Sequence, residues 1–302
     1  MKERFNDNFK LKIIKKGIVT IKEGSTLATE ISIRDVDKNG RTMKLFIGNT
    51  NKTVLGGRTM IQELLFGIQP NTQQHLTLND MLNIPHSVNT YTDSDTKLYR
   101  QRTISYFCIG SGAENKAVSG TSYSPRNSES ILYETVPFRC VPESADLSTV
   151  EASNYRLRKK IDISGKSYYA YYAKKMTVDK LYLQWNGNNY VPLEEHTVAK
   201  ADTDQSHPLA GAEVKVFTVF NLSIDANEFK EYYKIKNNTL SLAKLSELGM
   251  IAGYDATNGN VTGDVNGAKE LASAELVTKM THSPIPMDNE AASRQIKYSI
   301  FS

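Results

Sequence analysis

Residues 155–196 read YRLRKKIDISGKSYYAYYAKKMTVDKLYLQWNGNNYVPLEEH, and this stretch decides the fold. Tyr155, Leu157, Ile161 and Ile163 alternate with Arg156, Arg158, Lys160 and Asp162, the two-residue period of a strand with unlike faces. Ser164-Gly165-Lys166 turns the chain into a second run carrying Tyr168, Tyr169, Tyr171 and Tyr172. Leu181, Leu183 and Trp185 then alternate up to Asn186-Gly187, a pair suited to the positive φ angles of a tight hairpin turn. Tyr190 and Leu193 follow on the return. The pattern predicts a β-meander of three or four strands.

The same period recurs on both sides. Ile31 and Ile33, the turn Asp37-Lys38-Asn39-Gly40, and Met43, Leu45 and Ile47 predict a hairpin, with an earlier strand over 10–22. Strands are expected at 103–110, at 131–140 with Pro137 marking an edge or bulge, at 214–224, near 271–282, and at the end around Ile296, Tyr298 and Ile300. Helical spacing of Met60, Ile61, Leu64 and Leu65, with Gly67 behind them, predicts a short helix over 56–67. A helical turn near Asn79 and helices over 226–233 and 240–248 follow, the last with Leu242, Leu245 and Leu248 on one face and Gly249 as its stop. Residues 255–268 have loop composition. The fold class is mainly β with a few short helices. Its expected parts are an N-terminal hairpin or arm (1–50), a β-sandwich-like main domain (51–150 and 211–302), and an inserted basic, tyrosine-rich meander (151–210).

The chain has 302 residues, and its 37 basic and 33 acidic side chains leave +4. That balance does not mark a nucleic-acid binder. No apolar run is long enough for a helical membrane span, and the N-terminal stretch lacks the apolar core of a secretory signal. The compositional outlier is residues 155–180, where eight basic side chains face only Asp162 and Asp179; this +6 leaves −2 for the rest. Arg156, Arg158, Lys160, Tyr169 and Tyr171 are therefore the expected assembly contact, Tyr and Arg being favoured at interfaces. A solvated strand face, or a lysine-guarded edge, explains the same pattern.

Candidate chemistry is thin. Asp35 to Gly40 opens like a calcium loop, but position 46 is phenylalanine where a closing glutamate belongs, so a hairpin turn accounts for it. Asp202, Asp204 and His207, and likewise Glu194, Glu195 and His196, could hold a cation or act as acid and base, yet lie in strongly polar sequence. Cys108 alternates with Ile104 and Tyr106 on a strand and reads as a small buried hydrophobe. A bridge from Cys108 to Cys140 would need adjacent strands and an oxidising compartment. Gly110-Ser111-Gly112 could form a backbone anion nest, but it lacks the lysine of a phosphate loop and the spacing of a dinucleotide fingerprint, and a strand-to-loop bend is the better reading. No catalytic residue, cofactor or metal is expected.

Three stretches carry a resemblance. The first is LGGRTMIQELLF (55–66) followed by ISYFCIGSG (104–112). The second is ILYETVPFR (131–139). The third is the ordered set FTVFNLSID, LAKLSELGMIAG, LVTKMTHSPIPM and IKYSIF. This order is similar to virion structural proteins of tailed bacteriophages, in which a helix precedes a Gly-Ser-Gly strand end. There a Leu, Glu, Phe-Arg strand, an Asn-Glu-Leu-Gly helix and a Thr-His strand follow. Matching positions are Gly110 to Gly112, Leu132 with Glu134 and Phe138-Arg139, Ser246 to Gly249 (serine replacing the asparagine), and Thr281-His282. The resemblance implies a neck, tail or baseplate subunit without catalytic residues. Its partners would be copies of itself in a ring and other virion proteins, and its place the virion, assembled in the host cytoplasm. Two further readings are a peripheral adhesin using Trp185 and Tyr171 on a host glycan or protein, and a metal-dependent hydrolase using Asp202, Asp204 and His207.

Overall fold

The computed structural model describes residues 20–21, 28–36, 42–47, 50–66, 77–84, 102–113, 125, 128–185, 191–192, 214–225, 227–260, 269–288 and 293–301. The chain is mainly β with a few short helices. In chain order the elements are β1 (Thr20–Ile21), β2 (Ala28–Val36), β3 (Thr42–Ile47), β4 (Thr50–Thr53), α1 (Leu55–Phe66), α2 (Leu78–Met81), β5 (Thr103–Gly110), β6 (Thr135–Val136) and β7 (Arg139–Pro142). After them come α3 (Thr149–Ala152), β8 (Tyr155–Ile163), β9 (Lys166–Lys175), β10 (Thr177–Trp185), β11 (Val191–Pro192), β12 (Val214–Ile224), α4 (Lys230–Asn237), β13 (Lys244–Asn260), β14 (Lys269–Pro286) and β15 (Ser293–Phe301).

Two antiparallel sheets result. One runs β1-β2-β15-β12-β10-β11, with β3 also on β2; the other runs β4-β14-β13-β5-β9-β7, with β6 on β5 and β8 on β9. The expected hairpin over 28–47 forms, with Ile33 opposite Phe46. The expected meander does not form as one unit. β8 and β9 pair along their length from Tyr155↔Lys174 to Ile163↔Lys166, and β9 also meets β5 and β7. β10 instead crosses to the other sheet and pairs with β12 and β11. Hence 155–185 is woven into both sheets: β8 and β9 stay together in one, and β10 takes β12 as its main partner in the other.

The second sheet is buried on both faces. On one, Phe107, Ile109, Leu248, Met250 and Met280 pack with Phe220, Leu222 and Ile224, which alternate along β12 of the other sheet, and with Phe229 and Tyr233 at α4. This contact joins the two sheets in a sandwich-like manner. On the opposite face Tyr106, Cys108, Ile251 and Leu276 pack with Val54, Leu78, Ile84 and Leu132. An aromatic series stiffens the first face: Phe107 meets Phe138 edge-on at 5.0 Å, and Tyr155 stands 6.0 Å from Tyr171.

Double burial explains the largest departure from the sequence pattern. Residues 240–248 do not form a helix; β13 begins at Lys244 and lies between β5 and β14. Leu245 through Leu248 are all buried, polar Ser246 and Glu247 included. A central strand covered on both sides loses its alternation, and leucines three apart then mimic a helix face. Gly249 is accordingly no helix stop. A Cβ there would press on Leu276 Cδ1 and come within 2.9 Å of Cys108 Sγ, so the strand packing itself demands glycine.

Smaller corrections have local causes. The strand expected over 131–140 is two short pieces, β6 and β7, broken at Pro137 and Phe138. The helix expected over 226–233 starts later, at Lys230, and ends where Asn238 takes a left-handed conformation. Residues 255–260 continue β13 instead of looping, and β14 is longer at both ends than 271–282. Thr77 with Asp80 and Ser148 with Glu151 form capping boxes that start α2 and α3. Of the strand expected over 10–22, only Thr20–Ile21 lies within the described residues.

Candidate functional site

The β8–β9 hairpin turns through Ser164 and Gly165, both at positive φ (51° and 76°), the geometry of a two-residue hairpin loop. Toward its base the basic residues turn inward. Arg156 is 2% exposed and grips Asp255 with two bonds, Nε to Oδ1 at 2.8 Å and Nη2 to Oδ2 at 2.9 Å. Its Nη1 also donates to the carbonyls of Ser153 and Tyr155. Tyr106 donates to the same Asp255 oxygen at 2.6 Å. Burial would raise the Asp255 carboxyl, but the bonds from Arg156 and Tyr106 outweigh it and hold it below the usual carboxylate value.

Arg158 repeats the theme with Asp146, Nη2 to Oδ2 at 2.5 Å, both side chains almost fully buried. Tyr171, fully buried, donates to the other Asp146 oxygen at 2.7 Å. Tyr169 lies beneath the Arg158 guanidinium, 3.5 Å from it to the ring centre. A third buried anion, Glu228, accepts from Tyr155 Oη, from Lys174 Nζ at 2.7 Å and from the backbone of Asp225.

The residues expected at an assembly contact therefore divide. Arg156, Arg158 and Tyr171 are interior struts whose charges and hydroxyl are engaged within the chain, which corrects the expectation for those three positions. Lys160 is half exposed and pairs with Glu143 at 2.8 Å, while Tyr169 is partly buried. Nearer the turn, Asp162, Ser164, Gly165 and Lys166 are exposed. Among the described residues, no strand other than β9 pairs with β8.

A second constellation was not expected from sequence. Gly110-Ser111-Gly112 is a strand-to-loop bend in which Ser111 N donates to Glu134 O and only Gly112 N reaches an anion, the chain's own Glu247. Its Oε2 accepts from the backbone of Gly112 at 2.9 Å and Glu134 at 3.1 Å, and its Oε1 from Tyr133 at 2.9 Å. Gly110 makes the room, since a Cβ there would sit 2.7 Å from both the Glu247 carboxylate and the Glu134 carbonyl. Lys279 Nζ lies 3.2 Å from Glu247 Oε1 and 3.1 Å from Glu129 Oε2, with no exposed side-chain surface. It also donates to Ile131 O at 3.3 Å and sits over the Tyr133 ring. The available signal was a lone charge inside an apolar strand run, Glu247 in SELGMIAG and Lys279 in LVTKMTH.

Both cysteines are free thiols in the interior. Burial, reinforced by the Glu247 charge, pushes the Cys108 thiol up; burial beside Glu231 pushes Cys140 up to about 12. Cys108 Sγ stands 3.7 Å from Gly249 O, as a weak donor would. Among the described residues, no group of three or more His, Cys, Asp or Glu side chains is placed to hold a metal ion, and no helix is long and apolar enough to cross a membrane. Asp202, Asp204 and His207, the triplet Glu194 to His196, and the Asp37–Gly40 turn lie outside the described residues. So does the side chain of Trp185.

Comparison with known proteins gives one family. The profile of DUF7208, described as a family of unknown function, matches residues 41–300. No curated protein and no solved structure matches the chain.

Proposed function

The chain belongs to DUF7208, and we propose that it acts as a non-enzymatic structural subunit of a tailed-phage virion, joining or terminating neck, tail or baseplate components. The ordered resemblance of its strand-end, Phe-Arg and Thr-His segments to such subunits motivates the reading. The observation that carries it is the division of labour within the β8–β9 hairpin. Its inner arginines lock the hairpin to Asp146 and Asp255. Its outer part then presents Lys160, Asp162 and Lys166 beside an edge strand.

A rigidly rooted strand with an open edge suits lateral contact or strand addition between subunits. Rings of identical subunits need such a surface to be heterologous, meeting a different patch on the neighbour. The partners are further copies of the chain and other virion proteins, and the site of action is the virion. The adhesin reading loses Tyr171, which is fully buried under Asp146.

Charge reversal at the exposed part tests the proposal. Lys160→Glu with Lys166→Glu should leave the purified protein folded, with its unfolding midpoint unchanged, and should exclude it from particles when supplied in place of the wild type. Normal incorporation of that variant would remove the hairpin from the account.

A further inference from the structure

Lys279 is a primary amine held without solvent between two carboxylates, and no feature of the proposed function requires it. We propose that Lys279 and Glu129 are the two halves of an internal side-chain amide cross-link, with Glu247 as the group that moves the protons.

The geometry supplies each part. Lys279 Nζ is 3.1 Å from Glu129 Oε2 and 3.2 Å from Glu247 Oε1, and both Lys279 and Glu247 are 0% exposed. The two carboxylates differ in how they are held. Glu247 accepts three backbone N–H groups, which hold both of its oxygens in place. Glu129 is bound through Oε1 by the Tyr133 hydroxyl, so its carbonyl carbon is the one open to attack. Gly249 stands directly opposite Lys279 in the β13–β14 register, and Glu247 pairs with Thr281 two residues further along β14. Cys108, Leu132 and Leu276 border the vacant Cβ position of Gly249 and make the surroundings apolar.

The step balances without any outside reagent. The ammonium gives one proton to Glu129, producing amine and carboxylic acid. Nζ attacks Cδ of Glu129, and the Tyr133 hydroxyl stays on the oxygen that gains charge. Glu247 takes the second proton from nitrogen and delivers it to the departing hydroxyl. The Cδ–O bond breaks, the Nζ–Cδ bond remains, and one water leaves; nothing is oxidised or reduced. Glu247 ends as it began. Holding the reacting groups in contact replaces the high concentration that the same condensation would need in solution. The product ties β14 to the 128–134 segment that closes the Gly110–Gly112 bend, and does so whatever the protein's partners are.

Intact-mass spectrometry of the purified full chain, shown folded by circular dichroism, decides the matter. The expected mass is that of the linear sequence less one water, and peptide mapping should yield a branched species joining the Lys279 and Glu129 peptides. Glu129→Gln should lose one ammonia in place of one water, a signature no dehydration elsewhere would give. Glu247→Gln should keep the full linear mass. A folded wild-type chain that retains its full linear mass after prolonged incubation overturns the proposal. A branch at Glu247 overturns the assignment of roles.

Discussion

Glu247 and Lys279 meet diagonally across β13 and β14, their charged atoms 3.2 Å apart and both side chains sealed from solvent. A buried pair of this kind costs desolvation to form, but removing one partner strands the other. Lys279→Met is expected to destabilise the protein by about 3–5 kcal/mol. Adding Glu129→Gln to that variant should recover part of the loss, while Glu247 keeps its three backbone N–H donors. Urea unfolding measures both; a single variant within ~1 kcal/mol of wild type would mean that the carboxylates find other partners.

Two glycines separate conformational from steric demands. Gly165 has φ +76° and open space around its Cβ position, so Gly165→Ala should cost only about 1 kcal/mol, the strain of a left-handed alanine. Gly249→Ala forces a methyl against Leu276 and Cys108, and overpacking there should cost about 1–3 kcal/mol. Thermal unfolding of the two variants should rank them in that order. The reverse ranking would contradict the assigned packing of β13.

Asp255 makes the stability depend on pH in a defined sense. Its carboxyl is held below the ordinary value in the folded chain, so the unfolded chain binds the proton more readily. The contribution is complete above the unfolded value, near pH 4, and is lost as pH falls through the lower folded value. The wild-type unfolding midpoint should therefore drop more steeply below about pH 4 than that of Asp255→Asn. Parallel curves for the two proteins would show that the Arg156 pair does not act in this way.

Much of the fold is legible in the sequence, and what escapes has a common cause. The hairpins at 28–47 and 155–175, α1 and β5 declare themselves through local alternation, helical spacing and turn residues. β13 does not, because Ser246 and Glu247 are buried beside Leu245 and Leu248, and a run covered on both faces has no period to read. The pairing of β10 with β12 is equally hidden, since register between distant strands is set by packing. At the hairpin the same limit applies. The excess of positive charge at 155–180 is plain in sequence, but its answers, Asp146 and Asp255, lie 12 and 99 residues from Arg158 and Arg156. Only the folded chain brings them together and turns a presumed surface into a root.

The central claim is that this protein works as a stoichiometric part of a particle. Quantitative mass spectrometry of gradient-purified particles, from a lysate in which the chain is expressed from its native gene, tests it most directly. The account predicts a fixed copy number per particle, equal to a small ring or a multiple of one, unchanged by further purification. Particles that are complete and infectious without the protein, while it remains in the soluble lysate, would contradict it.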